Sequence, residues 1–531
     1  MTEGRPLGIL PGPGPGPGRW RAALLLVLSL HAMVAAARGL KLLLPRQIEV
    51  PPEPEYAGLK VWVDAVESLP YWVYLPCWSL LGVLAALAAV HLRYARDEAG
   101  PILSRRYLRA FGVLLLLPFV VQSLPVVPLI AWPGAWAAAS LLCVPTTVYA
   151  LTLVHCAQRF RRLPLPLLLA AFGWGASVAV GFGGTMNDWW SGFATLHFPL
   201  PDNPLDATYL KTIGAPVVAG FFEEYSKAVG VAVLFLLYRR HFDGVVSGVV
   251  IGAAAGLGFN FTESIAYMAE WGGGAANVHF WGRQTLGLMG AHTAFTAVTG
   301  AGFGIARQLP RRAQRLAAIG TGLLTAAAAH SCNNSVIGYV AADPPRWLPT
   351  GEAAGILLVL PSEILLLQGP LVVLYVLLLR RGLRSQAGGL ATALDGLPPP
   401  LRQAVTAEEA TMLLSPARRF RLKADLLRAH GALPQRFAAY RRLVRLHEAQ
   451  LDLATERWHR LRGESDPAAP DEDMLRARIM RLKGGPVDDH VCAPLSAPCV
   501  PHPLSPDPAT EPVTPAAQTA TQPSQAAGKD A

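Results

Sequence analysis

In GFFEEYSKAVG the chain places Glu223, Glu224 and Lys227 inside a stretch that is otherwise apolar. An unpaired charge is costly in hydrocarbon, so ionisable residues in such a stretch face a protein interior or a wet cavity and pair with one another. Glu223 and Lys227 stand four apart and Glu224 and Lys227 three apart, so on a helix either carboxylate meets the ammonium. One ion pair uses one acid. The surplus carboxylate calls for a proton, a metal or a basic residue from another helix.

Three further elements follow in order. In DGVVSGVVIGAAAGLGFNFTES, Gly244, Gly248, Gly252 and Gly256 recur every fourth residue, and Asn260 continues the stripe. Such a ladder lets a second helix approach closely. Glu263, seven residues beyond Gly256, falls nearly on the same face, so its carboxylate is carried towards that neighbour. In GAHTAFTAVTGAGFG, His292, Thr296, Gly300 and Gly304 share a face; in AHSCNNS, His330 and Asn334 are one turn apart. The sequon Asn333-Asn334-Ser335 lies within a predicted span and is discounted.

Glutamates and histidines on successive helices are residue types that bind a borderline metal such as zinc; Glu224, Glu263, His292 and His330 are the candidate ligands. A metal would lower the pKa of bound water, with the remaining glutamate as base. The same set works without metal if a glutamate activates water, the histidines act as acid or oxyanion donors, and Lys227 orients the carboxylates. A structural polar network is the third possibility, and for Glu223 and Lys227 pairing alone would account for both. His31, His91, His155, His197, His241 and His279 lie near segment ends or in weak contexts and are not expected to be ligands.

These residues must be positioned by helices in a membrane. Of 531 residues 52% are hydrophobic and 15% charged, against about 25% charged in a soluble protein. Ten candidate spans are predicted, at 22–38, 71–91, 110–131, 136–156, 164–182, 212–238, 244–266, 284–307, 317–339 and 354–379. The fold class is therefore all-α, a polytopic transmembrane bundle of about ten spans. The first run ends MVAAARG, which also resembles a signal-peptide cleavage region; a retained span is the reading adopted. The basic connections 91–109, 159–162, 239–243, 307–315 and 380–384 alternate with loops poorer in Lys and Arg, which puts the basic set and both termini in the cytoplasm. Glu224, Glu263, His292 and His330 then share the outer half of the bilayer.

The net charge of +10 resides largely in those short loops and is no argument for nucleic acid, which is excluded as a partner. Cys77, Cys143, Cys156 and Cys332 read as small buried hydrophobes, and the six cysteines imply no disulfide framework. Trp189 and Trp190, in a predicted outer loop 183–211, suit an interfacial anchor. The chain divides into a Pro/Gly arm (1–21), N-terminal spans (22–209), a core (210–340), a last span with basic flank (341–384), amphipathic cytoplasmic helices (385–483, with helices near 407–430 and 433–462) and a Pro/Ala/Thr-rich disordered tail (484–531). Its Ala, Gly, Pro, Leu and Arg excess suggests a high-GC bacterium and the plasma membrane.

The four elements together resemble the PrsW family of intramembrane proteases, distantly related to CAAX- and bacteriocin-processing membrane proteases. Glu223-Glu224-x-x-Lys227 is similar to that family's paired-glutamate motif; the glycine-rich helix ending at Glu263, the isolated His292, and His330 with Asn334 are similar to its other three. The resemblance covers roughly residues 210–340. It implies an endopeptidase, metal-dependent or glutamate-type, that cleaves membrane-anchored proteins such as an anti-sigma factor, with Glu223, Glu224, Lys227, Glu263, His292, His330 and Asn334 in its site. Ser264 follows Glu263 where the family pattern is expected to carry asparagine, which puts the surroundings of that glutamate in doubt. An ion-coupled transporter would also bury Glu, Lys and His, but no duplication of the glutamate-bearing half is visible. A catalytically inert relative that binds membrane proteins is a third alternative.

Overall fold

The computed structural model describes residues 17–43, 82–83, 100–123, 133–197, 214–342, 351–464 and 470–484. Every described element is helical. The first helices are α1 (Pro17–Leu43), α2 (Gly100–Gln122) and α3 (Pro133–Cys156). Helices α4 (Leu165–Gly173) and α5 (Val180–His197) are joined without a break by a π-helical segment, Trp174–Ala179. The core continues with α6 (Ala215–Leu237), α7 (Val245–Trp271), the short α8 (Gly273–His279), a π-helical segment Phe280–Leu286, α9 (Ala291–Gln308) and α10 (Arg312–Ala342). A long α11 (Leu360–Asp395) follows.

Among the described residues, five helical stretches are long and apolar enough to cross a membrane: Gly18–Ala37, Pro133–Cys156, Leu165–Ser191, Val245–Glu270 and Gly355–Asp395. The all-α, membrane-spanning bundle stands, with five such spans where ten were expected. The difference has a physical source. Helices α6, α9 and α10 are present, but they carry the glutamates, lysine, histidines, threonines and asparagines that dilute their hydropathy. The predicted span 71–91 lies outside the described residues, apart from 82–83. Two predicted outer loops are largely helical instead. Residues 183–197 continue α5, with Trp189 and Phe193 stacked at 5.3 Å, and 267–283 hold the end of α7, α8 and most of the second π segment.

Helix α7 is the centre of the bundle: 83% of its apolar window is buried, against 28% for α3 and 11% for α11. Its glycines make this possible. A Cβ at Gly248, Gly252 or Gly256 would run into the backbone carbonyls of Gly300, Thr296 and His292 on α9, and one at Gly258 into that of Phe172 on α4. The two backbones touch along the whole predicted ladder. Gly252→Val is therefore expected to force α7 and α9 apart at a cost of about 1–3 kcal/mol or more. Thermal unfolding in detergent checks this beside Gly338→Ala on α10, where a Cβ meets nothing within 4 Å. The Gly338 variant should be neutral or slightly stabilising, as alanine replaces glycine in a helix.

At 36 residues α11 is about 54 Å long, well beyond a hydrocarbon core of about 30 Å. Its far end, Leu390 and Leu394, packs with Phe160 and with Leu413, Leu446, Leu453, Leu475 and Ile479 of the C-terminal helices in one apolar cluster. Those helices are α12 (Ala407–Leu413), α13 (Pro416–Arg428), α14 (Leu433–Leu461) and α15 (Glu472–Lys483). The single helix expected over 407–430 is two. Thr406 and Glu409 cap α12 reciprocally, and Ser415 caps α13 ahead of Pro416, which ends the preceding helix. Cys143 is buried, whereas Cys332, expected inside, is exposed.

Candidate active site

Helix α6 brings Glu223, Glu224 and Lys227 into the interior, at 4%, 0% and 0% exposure. Lys227 Nζ donates to Glu224 Oε1 at 2.8 Å and lies 3.5 Å from Glu223 Oε2, so both predicted pairings exist at once. The ammonium also donates to His292 Nδ1 at 3.0 Å and sits 3.6 Å from the centre of the Phe259 ring. A lysine has only donors, so the Nδ1 lone pair of His292 is engaged and its Nε2–H donates to Glu263 Oε2 at 2.7 Å. The glycine ladder thus carries Glu263 to α9, as its position on the stripe implied.

Glu224 is the more tightly held carboxylate. Its Oε1 also accepts from His330 Nδ1 at 3.2 Å and its Oε2 from Thr296 Oγ1 at 3.1 Å. With Nδ1 protonated, His330 Nε2 is an acceptor; Asn334 Nδ2 donates to it at 3.1 Å, and Glu223 Oε2 lies 3.7 Å away. The His292 and His330 rings meet edge to face with centres 4.8 Å apart, and Phe295 stacks on His330 at 5.0 Å. All seven predicted site residues therefore fall within one connected network.

Two of its members were not anticipated. Asn187 of α5 donates from Nδ2 to Glu223 Oε1 at 3.0 Å, and Arg283 of the second π segment pairs with Glu263 and approaches His292 Nε2 to 3.4 Å. Asn187 sat in a predicted loop; Arg283 was an unremarked basic residue at the start of the predicted eighth span. Arg283 answers one part of the charge question, since it gives Glu263 its own cation. Glu223 and Glu224 are left sharing Lys227, with Asn187, Thr296 and His330 as neutral donors around them. His31, not expected to be a ligand, donates to the Leu115 carbonyl at 2.7 Å, away from this centre.

The side chains whose ligand atoms converge are Glu223, His292 and His330, all buried, with those atoms within 4.8 Å of one another. They fit a metal in type, number and burial: three protein ligands with a fourth position open is the pattern of a catalytic zinc site. The carboxylate in this set is Glu223. Glu224 and Glu263, the carboxylates expected as ligands, are turned to Lys227 and Thr296, and to Arg283 and His292.

Fold and site together define a multi-pass membrane protein with a hydrolytic acid–histidine centre buried among its helices. Residues 163–365 match the family model of the PrsW family intramembrane metalloproteases. Every residue of the network falls within this range, so the centre lies in a domain of the PrsW intramembrane protease type, whose buried glutamate and two histidines suit metal- or acid-type hydrolysis. No curated protein and no solved structure matches the chain.

Proposed function

We propose that Glu223 is the group that activates water for hydrolysis of a peptide bond, and that Glu224 orients the centre. The observation that carries this is the convergence of Glu223, His292 and His330. Glu223 is the glutamate whose second oxygen points to His330 Nε2, while Glu224 is saturated by three donors. Glu223 takes the proton of the attacking water and returns it to the leaving amine. Asn334, now donating to His330, is placed to donate to the oxyanion that develops on the carbonyl. Lys227 pairs with both acids and fixes His292 as the Nε2–H form. In a metal-dependent form Glu223, His292 and His330 would instead hold zinc, with His292 giving up its bond to Lys227 or to Glu263, and the ion would supply Lewis-acid polarisation of the scissile carbonyl.

The finer membrane arrangement is part of the same proposal. Ten spans would comprise the five apolar stretches, the shorter Ala110–Gln122, α6, α9, α10 and the segment 71–91. Cytoplasmic termini belong to the same reading, and on the C-terminal side the contacts of α14 and the Glu464 that follows it support it: Arg161, Asp243 and Arg307, from three of the five basic connections, all reach them. A bacterial plasma membrane and a membrane-anchored regulator of the anti-sigma-factor kind as substrate complete the proposal.

Elemental mass spectrometry of detergent-purified protein tests the metal. About one zinc per chain is expected, absent from His292→Ala/His330→Ala. Glu223→Gln should reduce cleavage of a membrane-anchored reporter by on the order of 10²–10⁴. Cleavage by a folded protein that takes up no zinc would remove the metal and leave glutamate-driven hydrolysis. Unchanged cleavage by Glu223→Gln would remove Glu223 as the base, and ion flux through proteoliposomes without any cleavage would favour transport.

A further inference from the structure

Where α5 ends and α6 begins, a groove of about 220 Å³ is lined by residues that include Asn187, Trp190, Ala215, Pro216, Ala219 and Asn334. It is smaller than the roughly 300–1,000 Å³ of a small-molecule pocket and suits one or two side chains. Its position follows from helix periodicity. Ala215, Ala219 and Glu223 are each four residues apart on α6, so the small side chains lining the groove lead, turn by turn, to the proposed base. Asn334 likewise stands one turn beyond His330. The two asparagines in the lining each hold a residue of the centre: Asn187 Nδ2 donates to Glu223 Oε1 at 3.0 Å and Asn334 Nδ2 to His330 Nε2 at 3.1 Å.

The Oδ1 atom of Asn187 is buried and has no hydrogen-bond partner among the described residues. A buried acceptor without a donor costs about 1–3 kcal/mol, so its retention beside Glu223 calls for a ligand that supplies the donor. A peptide in the interior of a transmembrane helix has no N–H to offer, because each beyond the first turn is bonded within the helix. An extended peptide does.

We propose that this groove is the substrate subsite next to the scissile bond. It takes a locally unwound, extended segment of a membrane-anchored protein. One backbone N–H of that segment donates to Asn187 Oδ1, and one apolar side chain lies between Trp190 and the Ala215–Ala219 face. Asn187 is thereby a positioning residue twice over, for Glu223 and for the peptide. Ala219 sets the size of side chain accepted. This inference rests on the protease reading for its chemistry, but binding in the groove is testable without turnover.

The probe is a biotinylated single-span peptide of leucine and alanine with a central Gly-Phe-Ser, in proteoliposomes containing the full chain with Glu223→Gln. A benzophenone amino acid at position 219 should cross-link it about ten-fold more than one at Leu142, which is 49% exposed on α3, and Ala215→Trp should abolish that excess. Equal yields at 219 and 142, or an excess that survives Ala215→Trp in a monodisperse preparation, overturn the groove. With Glu223 restored, Ala219→Leu should lower kcat/KM for the Phe-bearing probe at least about ten-fold more than for one with Gly at that place. Asn187→Ala should raise KM for both alike through the lost backbone bond, and lower kcat for both alike through Glu223. Peptide that cross-links at 219 but is never cut overturns the protease reading and leaves the subsite as a binding site. Peptide that is cut with no preference for 219 does the reverse.

Discussion

Replacing Lys227 by methionine is expected to cost about 3–5 kcal/mol of stability, the loss seen when one member of a buried charge set is removed and its partners remain. The ammonium is fully buried and is the shared cation of Glu223 and Glu224. Without it the two adjacent carboxylates have only neutral donors. His292 also loses the donor that engages its Nδ1, so its tautomer and its bond to Glu263 are no longer fixed. Unfolding in detergent measures the loss, and Lys227→Met/Glu224→Gln should recover most of it, since the double variant restores the charge balance around Glu223. Cleavage should stay low in both, because the orientation of His292 depends on the lysine itself. Lys227→Arg is not a rescue: a planar five-donor fork does not fit where a point charge sits 3.6 Å from the centre of the Phe259 ring. If Lys227→Met unfolds like the unmodified protein, Glu223 and Glu224 are not both ionised and the balance argued above is wrong.

The acids and histidines were legible in the sequence because each breaks an apolar pattern, and a residue out of place in a membrane helix has to be accommodated. The α7–α9 contact was legible for a similar reason, in that only glycine permits backbone to meet backbone at Gly252 and Gly256. The division of labour between Glu223 and Glu224 was not. Spacings of three and four place both on the same lysine, and what separates them comes from other helices, namely Thr296 on α9 and Asn187 on α5. Asn187 was hidden because GGTMNDWWSG carries the polar and glycine content of a loop, yet stacking of Trp189 on Phe193 accompanies its helical form. Arg283 lies in a π-helical segment, where the 3.6-residue period that places side chains from sequence no longer holds. The described residues hold five apolar spans where ten were expected; three of the helices missing from that set, α6, α9 and α10, carry site residues, and there chemistry and hydropathy compete for the same positions.

The second large effect is expected outside the Glu–His network, at Arg161. This guanidinium, in the connection between α3 and α4, lies 3.2 Å from Asp243, 3.2 Å from Asp452 and 3.3 Å from Glu456. Burial works against its charge, but the three carboxylates outweigh that and hold it protonated above the ordinary arginine range. Asp452 and Glu456 belong to α14, whereas Asp243 immediately precedes the glycine ladder of α7 and also meets His459 of α14 at 3.3 Å. Near the end of α9, Arg307 pairs with Glu464 at 2.8 Å. The C-terminal helices therefore grip both members of the α7–α9 pair that carries Glu263, His292 and Thr296. Arg161→Met leaves the buried Asp243 and Glu456 without their arginine and the partly exposed Asp452 with Arg478 alone, and a loss of about 3–5 kcal/mol in this contact is expected. Hydrogen exchange of the α14 amides reads it directly, as opening enhanced on the order of 10²–10⁴. The exposed Arg381→Met should leave exchange unchanged, and Arg161→Met/Asp243→Asn should recover part of the protection. Cleavage should fall several-fold with the release of α14, since the starts and ends of the helices that align the site are no longer fixed. Faster exchange with full activity would show that the centre holds its alignment through the glycine ladder alone; unchanged exchange would mean that the apolar cluster around Leu390 and Leu453, not the ion network, keeps the C-terminal helices in place.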